Sequence, residues 1–555
     1  MNATTATPLE FRTQPSAYRH WRLTIAPPRA NLVLDVAESG GAMPGYELKQ
    51  NSYDIGVDIE LADAIQRLRF EHPEVRVVVV SSGKPNIFCA GANIRMLAGA
   101  SHAHKVNFCK FTNETRNSIE DASEHSKQRY LAALGGTAAG GGYELALATD
   151  HLLLIDDGNA AVSLPEVPLL AVLPGTGGLT RLTDKRRIRR DLADVFCTLE
   201  EGARGARALE WRLVDEIAPR SKFDTAVDAR AIALAQTSDR PTAADGIALP
   251  RLERREDASG LHYPFLDVAI DSTLSTATLT LLGPEAPPPD DIDEARTIGA
   301  ALWPLALLRA LDDALLYLRF NAPAIATLVI RTSGALERVL DYDGWLRRHG
   351  DVWWVREITL FAKRTLKRLD LTSKTLLALV EPGSCYGGFV AELLFAADRS
   401  YMLDGTLEDD PSEAAIALTE ANFGPLPMSN GLTRLATRFL GDPQATARLY
   451  ELVGQHLDAA AARTAGLVTF TPDDIDWADE IRLFLEERAS FSADALTAME
   501  ANLRFAGPET METKIFARLS AWQNWVFQRP NAVGDDGALK RYGTGTRPRY
   551  DKTRI

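Results

Sequence analysis

Cysteine is scarce in this sequence. Among 555 residues there are four cysteines, none of them in a CxxC spacing: Cys89, Cys109, Cys197 and Cys385. So few thiols in so long a chain exclude a disulfide-stabilised secreted scaffold and predict reduced thiols in a cytoplasm. A metal site is not expected either. His102 and His104 lie two positions apart, but no third ligand is nearby, which favours solvated loop residues.

Long apolar runs and an excess of positive charge are also missing. No apolar stretch reaches the roughly 18 residues that suggest a membrane span, and residues 1–14 lack the apolar core of a signal peptide. The 61 basic residues are outnumbered by 75 acidic ones, which gives a formal net charge of −14. This balance argues against a nucleic-acid-binding surface but allows one local basic pocket for a phosphate. We expect neither a nucleic acid nor a membrane as a partner.

The segments that are present alternate between strand and helix patterns. Residues 21–25 and 31–36 predict two strands joined by a Pro-Pro turn, and residues 55–70 predict an amphipathic helix. The β-branched run at residues 75–80 is typical of a strand buried on both faces of a parallel sheet. The alternation favours an α/β fold, and the length of 555 residues predicts two or three domains.

The second half of the chain repeats the first. Residues 426–435 match residues 173–182 at seven of ten positions. A glutamate and an aspartate six residues apart occur in both halves, as Glu144 and Asp150 and as Glu392 and Asp398. These and a third similar pair of segments have offsets of 248 to 253 residues, which predicts two tandem copies of one fold.

The copies differ in the residues that could carry chemistry. We predict a disordered lead over residues 1–19, a catalytic domain over residues 20–255 and a degenerate second domain with a helical tail over residues 261–555. The charged residues 251–260 are interpreted as a linker. The second copy has no counterpart of the turn at residues 88–94 or of Glu166, and it has two extra residues between its glycines and Glu392. Chemistry is therefore expected in the first copy.

The glycine-rich segment at residues 138–150 is the centre of the predicted site. It follows an apolar run that predicts a short buried strand, and its three glycines let the backbone turn sharply. A helix that starts there directs free N–H groups and a positive dipole end into the turn. The N–H groups of Gly141 and Ala90 would form an oxyanion hole around one carbonyl. The adjoining Gly91, Ala92 and Gly142 are expected to contact the substrate.

Two carboxylates accompany these turns. Glu144 lies in the first turn of the predicted helix, and Glu166 follows a Leu-Pro dipeptide. In isolation, either glutamate is interpreted more simply as a structural carboxylate in a loop or at a helix start. Two carboxylates beside one polarised carbonyl, however, are what proton transfer or the activation of water needs. Their placement next to the glycine-rich turns therefore favours catalysis.

Three motifs in the first copy together resemble the enoyl-CoA hydratase/isomerase (crotonase) superfamily. They are Phe-Cys-Ala-Gly-Ala-Asn-Ile at residues 88–94, Gly-Gly-Gly-Tyr-Glu-Leu-Ala at 140–146, and Leu-Pro-Glu with Leu-Pro-Gly-Thr-Gly-Gly-Leu-Thr-Arg-Leu within 164–182. The resemblance implies a ββα-spiral fold, an acyl-CoA thioester substrate, oxyanion donors at Ala90 and Gly141, and catalytic roles for Glu144 and Glu166. Asn93 stands where the family usually has Asp, which puts a role for an acid at that position in doubt.

The doubled length, the paired glutamates and residues 537–551 resemble one ring-opening branch of this superfamily. That resemblance implies hydrolytic opening of 2,3-epoxybenzoyl-CoA to 3,4-didehydroadipyl-CoA semialdehyde and formate, in aerobic benzoate degradation. It implies no cofactor, since CoA is part of the substrate. An ordinary enoyl-CoA hydratase and a non-catalytic CoA-binding scaffold stay open as alternatives. A dehydrogenase is disfavoured because no acidic residue follows the glycines at the distance of a ribose site.

Three other side chains have two interpretations each. Cys109 follows the first glycine turn, in a segment that lines the acyl pocket in the resembling family, and is a candidate active-site residue. A lone cysteine is more often a small buried hydrophobe. Lys49 and Lys84 flank predicted loops and are either contacts for the CoA phosphates or surface charges. We expect a homodimer: crotonases usually form trimers, but here the second copy can bury the same surface within one chain.

Overall fold

The computed structural model describes residues 8–242, 244–407 and 410–555. The chain divides into two compact units, Met1–Arg251 and Leu252–Ile555, which we call the first and second unit. No helix in the described part of the chain is long and apolar enough to cross a membrane. Both units combine sheets with helices, which confirms the predicted α/β class.

The described residues of the first unit form nine strands. They are β1 Trp21–Ala26, β2 Arg29–Leu34, β3 Val77–Ser82, β4 Asn86–Cys89, β5 Arg129–Leu134, β6 Gly136–Ala139, β7 His151–Asp156, β8 Val162–Ser163 and β9 Glu216–Pro219. The main sheet has the order β1-β2-β3-β5-β7-β9, and only the hairpin β1-β2 is antiparallel. A small parallel sheet, β4-β6-β8, lies beside it. The predicted strand before the glycines is therefore followed by a second strand, β6, before the helix begins.

The helices of the first unit connect these strands. They are α1 Ile55–Phe70, α2 Ile94–Gly99, α3 His102–His125, α4 Gly141–Leu147, α5 Glu166–Leu170, α6 Gly178–Thr180, α7 Arg190–Cys197, α8 Gly205–Glu210 and α9 Phe223–Gln236. Short 3-10 turns occur at Pro15–Ala17, Lys49–Asn51 and Arg220–Lys222, and a π-helical turn at Arg181–Lys185. Helix α1 has the predicted bounds and is capped by Asp54, whose carboxylate accepts the N–H of Gly56 at 2.9 Å.

Ten strands occur in the part of the second unit that the structure describes. They are β10 Arg255–Asp257, β11 Gly260–Tyr263, β12 Leu266–Asp271, β13 Thr276–Leu282, β14 Thr327–Ser333, β15 Thr375–Val380, β16 Tyr386–Gly387, β17 Arg399–Met402, β18 Ile416–Ala417 and β19 His456–Leu457. The main sheet has the order β10-β11-β12-β13-β14-β15-β17. Strands β12 to β17 repeat the first unit's pattern, an antiparallel hairpin followed by parallel strands. A small sheet has the order β16-β18-β19, in which β16 and β18 are parallel and β18 and β19 are antiparallel.

The helices of the second unit include the predicted helical C-terminal region. They are α10 Ile292–Ile298, α11 Trp303–Asn321, α12 Leu336–Arg348, α13 Trp353–Asp370, α14 Gly388–Ala396, α15 Arg434–Arg438, α16 Ala445–Tyr450, α17 Ala459–Thr464, α18 Trp477–Ser490, α19 Ala493–Arg504, α20 Met511–Thr513, α21 Ser520–Val526, α22 Pro530–Val533 and α23 Ala538–Arg541. Turns of 3-10 type lie at Gly299–Ala301 and Glu420–Phe423, and a π-helical segment at Lys514–Leu519.

The repeated aspartates have a structural role in both units. The carboxylate of Asp150 accepts the N–H of Tyr130 at 2.7 Å, where strand β5 begins. The carboxylate of Asp398 accepts the N–H of Leu376 at 2.8 Å in the corresponding strand, β15. The same contact at the same place in two sheets supports the tandem duplication.

The prediction of a linker at residues 251–260 is wrong for most of that segment. Residues 255–257 and 260–263 form the edge hairpin β10-β11 of the second sheet, in which Arg255 pairs with His262. Asp257 shapes the turn by accepting the N–H of Ser259 at 2.9 Å. All three residues of β10 are exposed, because an edge strand tolerates charge where a central strand does not. The charge that suggested a linker therefore belongs to a sheet edge.

The described part of the predicted disordered lead is also ordered. Residues 1–7 lie outside the described residues, but residues 8–19 contact the first unit. The ring of Phe11 packs edge-on against Phe111 of α3 at 5.4 Å. Arg67 of α1 donates to the carbonyl of Thr13 at 3.2 Å, and the hydroxyl of Tyr18 donates to Asp63. Residues 8–19 are therefore held in place by a few individual contacts, one between aromatic rings and the others hydrogen bonds.

Candidate active site

The glycine turn at the start of α4 has a backbone that few other residues adopt. Gly140 precedes the helix with φ +53° and ψ −131°. Its N–H donates to the carbonyl of Ser163 at 2.9 Å, which ties the turn to strand β8. An ideal Cβ at Gly140 would lie 2.6 Å from Oε1 of Glu166. The glycine is therefore needed both for its dihedral angles and for the approach of that carboxylate.

Among the described residues, the N–H groups of Gly141 and Ala92 are candidates for an oxyanion hole. Gly141 is the first residue of α4, so its N–H has no partner within the helix. The N–H of Ala90, the donor expected from the sequence, donates to the carbonyl of Gln50 at 3.2 Å and is not available. Among the described residues, the N–H of Ala92 has no hydrogen-bond partner. The candidate donor therefore moves from Ala90 to Ala92.

Gly91 and Gly142 bring the two turns together. Gly91 has φ +89°, and an ideal Cβ there would lie 3.0 Å from the nitrogen of Gly141. An ideal Cβ at Gly142 would lie 2.4 Å from the carbonyl oxygen of Cys89. Both glycines therefore allow strand β4 and helix α4 to touch. Their role in the site is close packing that places the neighbouring donors.

Asn93 closes the same turn as a helix cap. Its side-chain oxygen accepts the N–H of Met96 at 3.0 Å at the start of α2, and its amide donates to the carbonyl of Glu47 at 2.8 Å. An aspartate could accept the first bond but could not donate the second. Asn93, which differs from the family's usual aspartate, thus has hydrogen-bond partners for both its oxygen and its amide group.

Glu144 is a buried carboxylate with three donors. Oε1 accepts the N–H of Thr176 at 3.0 Å and the N–H of Gly178 at 2.7 Å. Oε2 accepts the hydroxyl of Thr176. The side chain is 2% exposed. Three hydrogen bonds to one carboxylate fix its position.

Glu166 lies next to Glu144 but in a different environment. It is the first residue of α5 and is half-buried. Burial, and secondly the charge of Glu144, raise the pKa of Glu166 to about 7. Its Oε2 is buried and has no hydrogen-bond partner among the described residues. The structure thus brings the two predicted glutamates together and gives one of them a proton that it can exchange near neutral pH.

Cys109 lies on α3 near the loop that carries Thr176. Its sulfur is 4.0 Å from an ideal Cβ at Gly175. Burial, and secondly the charge of Glu144, raise the pKa of Cys109 to about 11. The side chain therefore faces the site as a thiol, which makes a nucleophilic thiolate at neutral pH unfavourable.

The sequence did not point to Tyr53 and Arg116, which pack under the glycine turn. The hydroxyl of Tyr53 lies 2.0 Å from an ideal Cβ at Gly141 and has no hydrogen-bond partner in the described chain. The guanidinium of Arg116 lies 5.2 Å from the centre of the Tyr53 ring and donates to the carbonyl of Gly141 at 3.4 Å. Asp58 of α1 holds Arg116 at 3.1 Å. No local pattern marked this buried pair, because the sequence neighbours of Arg116, Thr115 and Asn117, are polar.

The two lysines proposed for the CoA phosphates have acidic neighbours. Lys49 lies 3.0 Å from Glu47, and Lys84 lies 3.9 Å from both Asp35 and Glu38. Lys49 and Glu47 are both mostly exposed, so their pairing costs little to break. No group of three His, Cys, Asp or Glu side chains that could hold a metal ion occurs among the described residues.

The second unit contains a closed version of this site. Gly388 has φ +51°, close to that of Gly140, and is four residues before Glu392, as Gly140 is before Glu144. The spacing is therefore the same in both units, and the two inserted residues inferred from the sequence result from matching the wrong glycines. Glu392 accepts a hydrogen bond from Arg434 at 2.8 Å and one from Asn422 at 2.8 Å. The charge of this glutamate is thus paired with a buried arginine.

The comparisons with known proteins agree with these motifs. Residues 48–245 match the family model described as enoyl-CoA hydratase/isomerase. The chain is 54% identical to a benzoyl-CoA-dihydrodiol lyase from Aromatoleum evansii, over 99% of this chain and 98% of that protein. It is 34% identical to a fatty acid oxidation complex subunit alpha from Idiomarina loihiensis, over 30% of this chain and 23% of that protein. Among solved structures, an enoyl-CoA hydratase from Geobacillus kaustophilus matches 39% of this chain and 75% of its own, with 33% identity and a TM-score of 0.35.

Proposed function

Because the chain belongs to the benzoyl-CoA-dihydrodiol lyase family of the enoyl-CoA hydratase/isomerase superfamily, we propose that it hydrolytically opens the ring of 2,3-epoxybenzoyl-CoA. The products are 3,4-didehydroadipyl-CoA semialdehyde and formate. The observation that carries this proposal is the 54% identity over 99% of the chain, which includes the second unit as well as the catalytic motifs. CoA enters as part of the substrate, and the reaction as proposed uses no metal or redox cofactor.

The thioester carbonyl is bound at the start of α4. The free N–H groups of Ala92 and Gly141 donate to its oxygen, and the positive end of the helix favours the negative charge that develops there. Polarisation of the thioester draws electron density from the conjugated ring, which makes the ring carbons more reactive towards water. Loss of one such donor typically costs about 10²–10³ in rate.

The two glutamates have separate tasks. Glu166 takes the proton from an attacking water and returns it to a ring oxygen, because its pKa of about 7 suits both directions of transfer. Glu144, held in place by its three hydrogen bonds, orients the second water. Cys109 lines the acyl side as a neutral thiol.

Formate release tests the reaction. The protein is incubated with 2,3-epoxybenzoyl-CoA and, separately, with crotonyl-CoA, and formate and hydration are measured. Formate from the epoxide, with little crotonyl-CoA hydration, is the expected result. Rapid crotonyl-CoA hydration without formate would instead establish the second candidate, an enoyl-CoA hydratase, which the family match over residues 48–245 supports. Absence of both would leave a CoA-binding scaffold.

Assembly and location form a second part of the proposal. We propose a homodimer in the cytoplasm. Large exposed apolar side chains on the C-terminal helices support the dimer: Leu503 is 67%, Met511 76% and Phe516 74% exposed. Light scattering after gel filtration would give a mass of twice 60.7 kDa for the dimer, whereas a single or triple mass would exclude it.

A further inference from the structure

Thr176 gives Glu144 two of its three hydrogen bonds. It lies in the loop between α5 and α6 and is 5% exposed. Its backbone N–H donates to Oε1 of Glu144 at 3.0 Å, and its hydroxyl donates to Oε2. One residue thus contacts both oxygens of the carboxylate. A donor to each oxygen fixes the rotation of the carboxylate plane as well as its place.

In the second unit the corresponding glutamate has different donors: the amide of Asn422 donates to one oxygen of Glu392 at 2.8 Å and a guanidinium to the other. There, Arg434 donates to Glu392 at 2.8 Å and to Asp370 at 2.7 Å, and the carboxylate is neutralised by a buried cation. Arg434 is the counterpart of Arg181 in the repeated Leu-Thr-Arg-Leu segment.

The same arginine is turned away from the glutamate in the first unit. Arg181 donates to both oxygens of Glu120, at 2.9 and 2.8 Å, and to the side chain of Asn117 at 2.7 Å. Its remaining contact is to the carbonyl of Thr176 at 3.2 Å, so it braces the loop rather than the carboxylate. Neutral donors leave the negative charge of Glu144 uncompensated and able to interact with water. A buried cation beside the carboxylate would compensate that charge.

We infer that Thr176 is the positioning residue for Glu144, and that its hydroxyl sets the orientation in which this carboxylate holds water. The inference rests on the proposed function, because it assigns a task to Glu144 within that reaction. Thr176 does not itself contact the substrate. The hydroxyl acts through Glu144, whereas in the second unit Arg434 and Asn422 are the donors to the corresponding glutamate.

The test compares Thr176→Val with Thr176→Ser. Valine keeps the volume and removes the donor, whereas serine keeps the donor and loses a methyl group. Because a small misplacement of a catalytic group costs about 10²-fold, Thr176→Val should lower kcat by about that factor. KM should stay within about threefold, since the thioester contacts are unchanged. Thr176→Ser should restore kcat to within about tenfold of the unaltered protein.

Thr149→Val is the matched control. Its hydroxyl is equally buried and donates to the carbonyl of Ala146 at 2.8 Å, at the other end of α4. This variant should keep kcat. A Thr176→Val variant with unchanged kcat, or a serine variant as slow as the valine variant, would overturn the inference.

The proposed function and the inference fail separately. The kinetics are measured with whichever of 2,3-epoxybenzoyl-CoA and crotonyl-CoA the unaltered protein turns over. If no formate forms, the ring-opening proposal is wrong. The role of Thr176 can then still be tested by the hydration of crotonyl-CoA. A protein that turned over neither thioester would overturn both.

Discussion

Asp343 accepts a hydrogen bond of 2.9 Å from the backbone N–H of Phe389, at the start of helix α14 in the second unit. Phe389 follows Gly388 and is the counterpart of Gly141, so this is the N–H that the first unit leaves open. Asp343 is buried, and burial raises its pKa. One helix start is therefore a candidate site for a substrate oxyanion, while its copy is filled by a carboxylate of the chain itself.

The pair formed by Arg434 and Glu392 should stabilise the second unit without taking part in turnover. Arg434→Met leaves two buried carboxylates, Glu392 and Asp370, without their cation. Removal of one partner of a buried ion pair typically costs about 3–5 kcal/mol, so the free energy of unfolding should fall by about that amount. Urea unfolding at constant pH measures this change, and formate production by the folded protein should be unaltered.

Arg448→Met is the control for that measurement. Arg448 pairs with Asp442 at the surface, where both side chains are about half exposed. Its loss should change the free energy of unfolding by less than about 1 kcal/mol. Equal effects of the two substitutions, or a loss of turnover in the folded Arg434→Met protein, would contradict the assignment of the second unit to a structural role.

Gly141→Ala should abolish most of the activity. The new Cβ would lie 2.0 Å from the hydroxyl oxygen of Tyr53 and 2.8 Å from its Cζ, so the helix start must move. Displacement of one oxyanion donor should lower kcat by about 10²–10³. Adding Tyr53→Phe removes the nearest atom but keeps the ring, and should restore only part of the loss. Steady-state formate kinetics of both variants check this.

Gly99→Ala serves as the comparison for an added methyl group. Gly99 ends helix α2, and an ideal Cβ there meets no atom within 4 Å. Its kcat should match that of the unaltered protein. If Gly141→Ala were as active as Gly99→Ala, the N–H of Gly141 would not be the donor.

The sequence was sufficient for the fold class, the duplication and the pairing of Glu144 with Glu166, because these depend on periodicity and on motif spacing. It could not identify the donor in the turn at residues 88–94, since that depends on Gln50, a residue distant in the chain whose carbonyl occupies the N–H of Ala90. It also missed Thr176, whose contact with Glu144 exists only once the loop folds back over α4. Long-range hydrogen bonds of this kind have no local pattern.

Cys109 should react slowly with alkylating reagents. With its pKa raised to about 11, only a minute fraction is thiolate at pH 8, and iodoacetamide should modify it about 10²-fold more slowly than a free cysteine. Mass spectrometry of the peptide that contains Cys109 measures the rate across pH. Cys109→Ser should keep kcat within about tenfold, because the hydroxyl replaces a neutral donor. Rapid alkylation at pH 7 together with an inactive serine variant would point to a nucleophile instead.

Glu166 should give the pH profile its inflection. Because only the unprotonated carboxylate takes a proton from water, kcat/KM should rise about tenfold per pH unit below its pKa of about 7 and level off above it. Glu166→Gln should remove the inflection and most of the rate. Glu124→Gln, at an exposed position of α3, should change neither. A profile that falls through pH 7 would make Glu166 the acid of the rate-limiting step and would contradict the assignment.

The same shift predicts a stability change that needs no substrate. The pKa of Glu166 is higher in the folded than in the unfolded chain, where a glutamate titrates near its ordinary value of 4.5. The folded state therefore binds more protons between that value and about 7, and this stabilisation disappears as the pH rises through the window. Glu166→Gln, which carries no charge, should raise the melting temperature at pH 8 and leave it nearly unchanged at pH 4. Equal melting temperatures at pH 8 would mean that Glu166 ionises without penalty in the folded protein, and that neither burial nor Glu144 tunes it.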